Sequence, residues 1–146
     1  MYKHILIPTD GSALSEMAIQ QGIALAKTLP ARVTAMTVSL PFRAYAVDPV
    51  MLTDTPAQYE QDCEALAEKY LGVAKAAAVV AGISCETVHV WAAHPYEAII
   101  DTARKAGSDL IFMASHGRKG VSTLVLGSET GKVLTHSKIP VCLSCS

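Results

Sequence analysis

Two short stretches concentrate residue types that suit an anionic ligand. The longer reads Ala114-Ser115-His116-Gly117-Arg118-Lys119-Gly120-Val121-Ser122-Thr123-Leu124-Val125-Leu126-Gly127-Ser128. Its glycines permit close backbone approach and positive φ, and Gly127-Ser128 is expected to open a helix, where unpaired amides and the positive end of the dipole attract phosphate. The shorter, Pro8-Thr9-Asp10-Gly11-Ser12, follows an apolar run. Both also have plainer readings: glycines in a long loop serve turns, Asp10-Gly11-Ser12 serves a strand-to-helix turn with a cap, and Arg118-Lys119 serves as a solvated pair.

Other chemistries find less support. His4, His89, His94 and His136 have no metal-ligand spacing, so a protein-built metal site is not expected. Cys142-x2-Cys145 falls in a β run, where positions three apart point to opposite faces, whereas a redox pair of this spacing opens a helix. Gly127 to Val133 is one residue short of a P-loop and lacks its final hydroxyl, and Gly-x-Gly-x-x-Gly is missing from the sequence. Twelve Lys+Arg against thirteen Asp+Glu give a formal charge of −1, without the basic footprint of a nucleic-acid or anionic-membrane binder.

The elements that must position the two stretches are readable from the apolar pattern. Strands are expected at Tyr2 to Thr9, Arg32 to Ser39, Ser84 to Val90, Ser108 to Ser115 and Ile139 to Cys145, with helical signals between them. The first helix follows Ser12 as cap and turns Leu14, Met17, Ala18 and Leu25 inward. The second has Thr55 as N-cap, Pro56 at the first position and Gln58 completing a capping box; Tyr59, Cys63, Leu66, Tyr70, Val73, Ala77 and Val80 form its apolar stripe, and Gly82 stops it. The third starts near Pro95, buries Ile99, Ile100 and Ala103, and ends at Gly107. A fourth follows Gly127-Ser128.

Helices between successive strands imply parallel pairing through right-handed crossovers. Ile5-Leu6-Ile7 and Leu110-Ile111-Phe112-Met113 are continuously apolar, as central strands should be, whereas Glu86 and His89 mark an edge. The expected fold is α/β, a five-stranded parallel sheet in the order 3-2-1-4-5. The two stretches then face each other at the switch point between strands 1 and 4, where such sheets bind ligands.

The chain of 146 residues, 51% hydrophobic and 17% charged, is expected to form a single domain spanning 1–146. No apolar stretch approaches the ~18 residues of a membrane span and no signal peptide is evident, which points to a cytoplasmic protein with reduced thiols.

Pro8-Thr9-Asp10-Gly11-Ser12, the strand end Leu110-Ile111-Phe112-Met113, the loop Gly117-x9-Gly127-Ser128 and the closing Ile139-Pro140-Val141 together resemble the universal stress protein family, over essentially the whole chain. The nucleotide-binding branch of that family carries Gly-x2-Gly-x9-Gly-(Ser/Thr). Here the second glycine is Gly117, the third is Gly127 and the hydroxyl is Ser128, while the first position holds Ala114. Its added methyl needs room near the ribose and phosphates, although the amide donor is kept.

The resemblance implies a stress-response or regulatory module that binds ATP or a related adenine nucleotide, with Mg2+ or Mn2+ through the phosphates and at most slow hydrolysis. By the same likeness Pro8, Thr9 and Asp10 flank the adenosine end and Val38 lines the adenine pocket. Met113, Ala114, His116 and Gly117 approach the ribose and phosphates, and Gly127, Ser128 and Glu129 meet the phosphate chain. The Glu129 carboxylate must then turn away from the phosphates or share a divalent cation with them.

Resemblance also implies a homodimer paired through the last strand, Val141 to Cys145, an edge that would otherwise stay open. The alternative is an interaction protein of the same fold that binds no nucleotide, with Ala114 and Glu129 marking a closed cleft. The apolar stretch Leu40 to Asp54 is too long for a routine connector and reads equally as lid, partner contact or crossover.

Overall fold

The computed structural model describes residues 1–45, 55–116 and 127–144. In chain order the elements are β1 (His4–Pro8), α1 (Ala13–Thr28), β2 (Arg32–Ser39), α2 (Phe42–Tyr45), α3 (Pro56–Ala81), β3 (Cys85–Trp91), α4 (Pro95–Ala106), β4 (Leu110–Ala114), α5 (Ser128–His136) and β5 (Val141–Ser144). The strands form one sheet in the order β3-β2-β1-β4-β5, each neighbouring pair parallel. That is the expected α/β fold, with β1 in the centre.

Local signals set the helix ends. Ser12 caps α1 by accepting from the Ser15 amide at 3.2 Å, and Thr55 caps α3 by accepting from the Gln58 amide at 3.1 Å. Only half of the expected capping box forms, because the Gln58 side chain donates forward to Asp62 at 2.9 Å. Gly107 closes α4 at φ +75°, a left-handed conformation that a Cβ disfavours.

Strand alternation gives the sheet two cores. Ile5, Ile7, Val33, Phe112 and Ala114 point toward α1 and α3, while Leu6, Met36, Ile111 and Met113 point toward α4 and α5. Each fully buried Ile or Leu contributes about 1.5–3 kcal/mol of apolar transfer.

The helix faces differ from the expected ones. In α1 the buried residues are Ser15, Ala18, Ile19, Gly22, Ile23 and Ala26, whereas Met17 is exposed and Leu14 and Leu25 only half-buried. A Cβ on Gly22 would lie 2.6 Å from Cδ1 of Ile7, so a larger residue there would have to displace that buried side chain. In α3 the buried residues are Tyr59, Ala67, Leu71, Ala74 and Ala78, while Leu66 and Val80 are exposed. Small residues bring α3 down onto the sheet, so the bulkier stripe lies to one side.

No helix among the described residues is long and apolar enough to cross a membrane. Cys63, Cys85 and Cys142 are free thiols; Cys145 lies outside the described residues, as do positions 46–54 of the stretch after β2.

Candidate functional site

The turn after β1 is tied down by its own polar groups. The Thr9 amide donates to the Met36 carbonyl at 2.8 Å. The buried Thr9 hydroxyl accepts from the Gly11 amide at 3.2 Å and shares a 3.0 Å hydrogen bond with Ser15 Oγ. Asp10 Oδ1 accepts from the Ser12 amide at 2.9 Å, an Asx turn that presents the carboxylate at the end of β1. Gly11 adopts φ +80°, and a Cβ there would lie 2.3 Å from the Tyr70 ring, so the turn fits beneath α3 only as glycine.

Between this turn, the end of β2 and α3 lies a hollow of about 260 Å³. Asp10 and Val38, which the sequence placed at a common site, both line it, together with Tyr59, Cys63 and Tyr70 from α3. The apolar stripe expected for α3 turns all three inward; Tyr59 is buried, whereas Cys63 and Tyr70 are half-buried. The available signal was that Cys63, Leu66 and Tyr70 run beside the alanine-rich face at 67, 74 and 78 rather than along it.

A neighbouring recess of about 250 Å³ is bounded by Phe42, Glu60, Glu64 and Trp91. An aromatic cluster separates the two: the Tyr59 ring lies 5.6 Å from Phe42 and 6.4 Å from Trp91, and Trp91 lies 5.0 Å from the His89 ring. His89 shares a 2.8 Å hydrogen bond with Ser39 Oγ, and burial lowers its pKa against the opposing pull of Glu64.

The other group of residues gathers where β4 meets α5. The Thr130 hydroxyl donates to the Ala114 carbonyl at 3.0 Å, and the Gly127 amide donates to the Ser115 carbonyl at 2.9 Å. These two bonds pin the start of α5 to the end of β4. Gly127 is the N-cap and brings no side chain to the first-turn amides, and Ser128 is exposed. His116 is buried, its Nδ1 sharing a 2.9 Å hydrogen bond with Ser115 Oγ. Met113 packs on the side of the sheet that carries α5, whereas the Ala114 methyl packs into the opposite core with Phe112 and Ala18.

Glu129 bridges to the neighbouring helix α4. Its Oε2 accepts from the Tyr96 amide at the start of α4 at 2.8 Å, and its Oε1 lies 3.8 Å from Lys132 Nζ. The expected residues therefore form two groups at the carboxyl ends of the interior strands: Asp10 and Val38 at the hollow, with Pro8 and Thr9 in the adjoining strand end and turn, and Met113, Ala114, His116, Gly127 and Ser128 around the β4–α5 junction. Gly117, Arg118 and Lys119 lie outside the described residues. Among the described residues no group of three His, Cys, Asp or Glu side chains is placed to hold a metal ion.

Comparison with known proteins agrees with this architecture. Residues 1–144 match the universal stress protein family. A universal stress protein of Methanocaldococcus jannaschii, MJ0531, is 32% identical over 97% of this chain and 81% of its own length. The solved structure of the hypothetical protein MJ0577 superposes with a TM-score of 0.83 at 26% identity, covering 100% of this chain and 97% of that one. Two more distant structures share the fold: a universal stress protein in complex with cAMP (TM-score 0.68, 23% identity, 99% and 97% coverage) and one from Archaeoglobus fulgidus in complex with dAMP (0.71, 17%, 97% and 97%). This chain belongs to the universal stress protein family.

Proposed function

We propose that the chain binds an adenine nucleotide, ATP or a close relative, and works as a regulatory module of the stress response. The base lies toward Asp10 and Val38, and the phosphates lie toward the start of α5. The observation that carries this reading is the β4–α5 junction: a helix N-terminus without a side-chain cap from its own N-cap residue is pinned to a central strand by Thr130 and Gly127. Such an end offers main-chain donors and the positive pole of a dipole to a polyanion. The cAMP and dAMP complexes of proteins with this fold support an adenine ligand over other phosphate compounds.

Two features of the chain are compatible with a bound nucleotide. The Ala114 methyl is directed into the core opposite α5, and the Glu129 carboxylate is turned to Tyr96. The described side chains offer no metal-ligating cluster, so a Mg2+ or Mn2+ ion would travel with the phosphates it neutralises. Hydrolysis of the bound nucleotide would be slow at most. The short edge strand β5 is suited to pair with its copy across a two-fold axis, giving a cytoplasmic homodimer.

Calorimetry with Mg-ATP, AMP and cAMP, together with mass spectrometry of small molecules retained through purification, tests the reading. We expect saturable binding of at least one of these at one per chain, and two chains per particle by light scattering. Absence of heat with all three, and of any adenine compound in the retained fraction, would overturn nucleotide binding; a strict monomer would overturn the dimer.

A further inference from the structure

Helix α4 starts without a cap of its own. His94 stands at the N-cap and makes no side-chain bond, and Pro95, at the first helical position, has no amide hydrogen. The next amide, Tyr96 N–H, donates to Glu129, which belongs to the first turn of α5. One carboxylate thus lies at the positive poles of two helices. The contact is built rather than incidental: Lys132 Nζ lies 3.8 Å from Glu129 Oε1 and 5.5 Å from the centre of the Tyr96 ring, and the His136 ring packs on Tyr96 at 5.3 Å. Against the sheet α5 is hydrogen-bonded at its start, by Thr130 to Ala114 and Gly127 to Ser115, and buries Val133 in the core one turn further on.

We propose that Glu129 is a positioning residue. By capping α4 from across the helix pair it fixes the direction of the α5 N-terminus, so that the first-turn amides stay aimed past the end of β4. The two bonds to the end of β4 and the buried Val133 hold α5 against the sheet; the anchor on α4 adds a restraint on the sideways direction of its first turn. The consequence for ligand rests on the nucleotide reading above, whereas the brace is a property of the two helices. In this role the carboxylate assists a phosphate ligand although the charges are alike, because its acceptor oxygen serves α4 and Lys132 offsets its charge.

The test compares wild type with Glu129→Ala and Glu129→Gln, using amide hydrogen exchange at Tyr96 and calorimetry with Mg-ATP and with adenosine. Glutamine keeps an oxygen that accepts from Tyr96 and removes the charge. We expect Glu129→Ala to speed Tyr96 exchange about fivefold or more, the usual effect of losing a cap. The same variant should weaken ATP about fivefold while adenosine stays within about twofold, and Glu129→Gln should return both readings close to wild type. Unchanged Tyr96 exchange in the alanine variant would overturn the brace. Tighter ATP binding in both variants would also overturn it, by showing a carboxylate that only repels. If wild type binds neither ligand, the nucleotide reading fails, and Tyr96 exchange alone decides the brace.

Discussion

Asp109 and Asp10 stand at opposite ends of the sheet's two central strands, one just before β4 and the other just after β1, and the chain treats them differently. Both Asp109 oxygens accept from the Lys3 amide, at 3.2 and 2.9 Å, and Oδ1 also accepts from the His4 amide at 3.0 Å. Burial works against its charge, yet the amides of Lys3 and His4 outweigh burial and hold its pKa below the ordinary value. Asp10 gives one oxygen to its own turn and lines a hollow. The first end is closed by main-chain donors, while at the second a carboxylate borders a hollow. Parallel sheets bind their ligands at that second end for this reason.

The sharpest way to break this contrast is Gly127→Val. It adds a branched side chain at the N-cap of α5, beside the proposed phosphate position, so ATP affinity should fall about a hundredfold or more while the melting temperature changes little. Calorimetry and thermal unfolding of the same sample read both. Asp109→Ala should do the reverse, lowering stability by about 1–2 kcal/mol in denaturant unfolding and leaving ATP affinity unchanged.

A smaller effect comes from His4, which is buried at the closed end, its Nε2 sharing a 2.7 Å hydrogen bond with Thr34 Oγ1 and its Nδ1 lacking a partner among the described residues. Burial first, and the Arg32 charge second, lower its pKa below the ordinary 6.5. The unfolded chain therefore takes up the proton more readily, and stability present above pH 6.5 is lost as the pH falls toward the folded value. Melting curves between pH 7.5 and 5.5 should show that loss, and His4→Gln should flatten it. The depressed Asp109 pKa has the same sign but acts lower, its contribution present above its ordinary 3.8 and lost on further acidification.

The fold was legible in the sequence to the level of strand order, because caps and breakers act locally: Ser12, Thr55-Pro56 and Gly107 each mark a helix end where the structure has one. The helix faces were less legible. Apolar periodicity follows side-chain size, whereas close packing on a sheet is done by small residues. Thus Ala67, Ala74 and Ala78 carry the buried face of α3, and Tyr70 and Cys63 look into the hollow. Likewise Ser15 and Gly22 are buried in α1 while Met17 is exposed.

At the candidate site, the family resemblance was what grouped Asp10 with Val38 and Ala114 with Gly127. The partner of Glu129 was beyond reach, because the Tyr96 amide is a backbone group 33 residues away and leaves no side-chain signature. The direction of the Ala114 methyl was recoverable in principle: two residues after Phe112 on the same strand, it must share that residue's face.

Trp91 is the chain's single tryptophan, and it stands between the His89 ring and the Tyr59 ring at the border of the two cavities. The protein therefore carries an intrinsic optical probe in the recess beside the hollow, one ring away from it. Indole emission would register an occupant pressing on Tyr59 without any label, and the neighbouring imidazole, a quencher when protonated, would add a pH-dependent baseline to be recorded first.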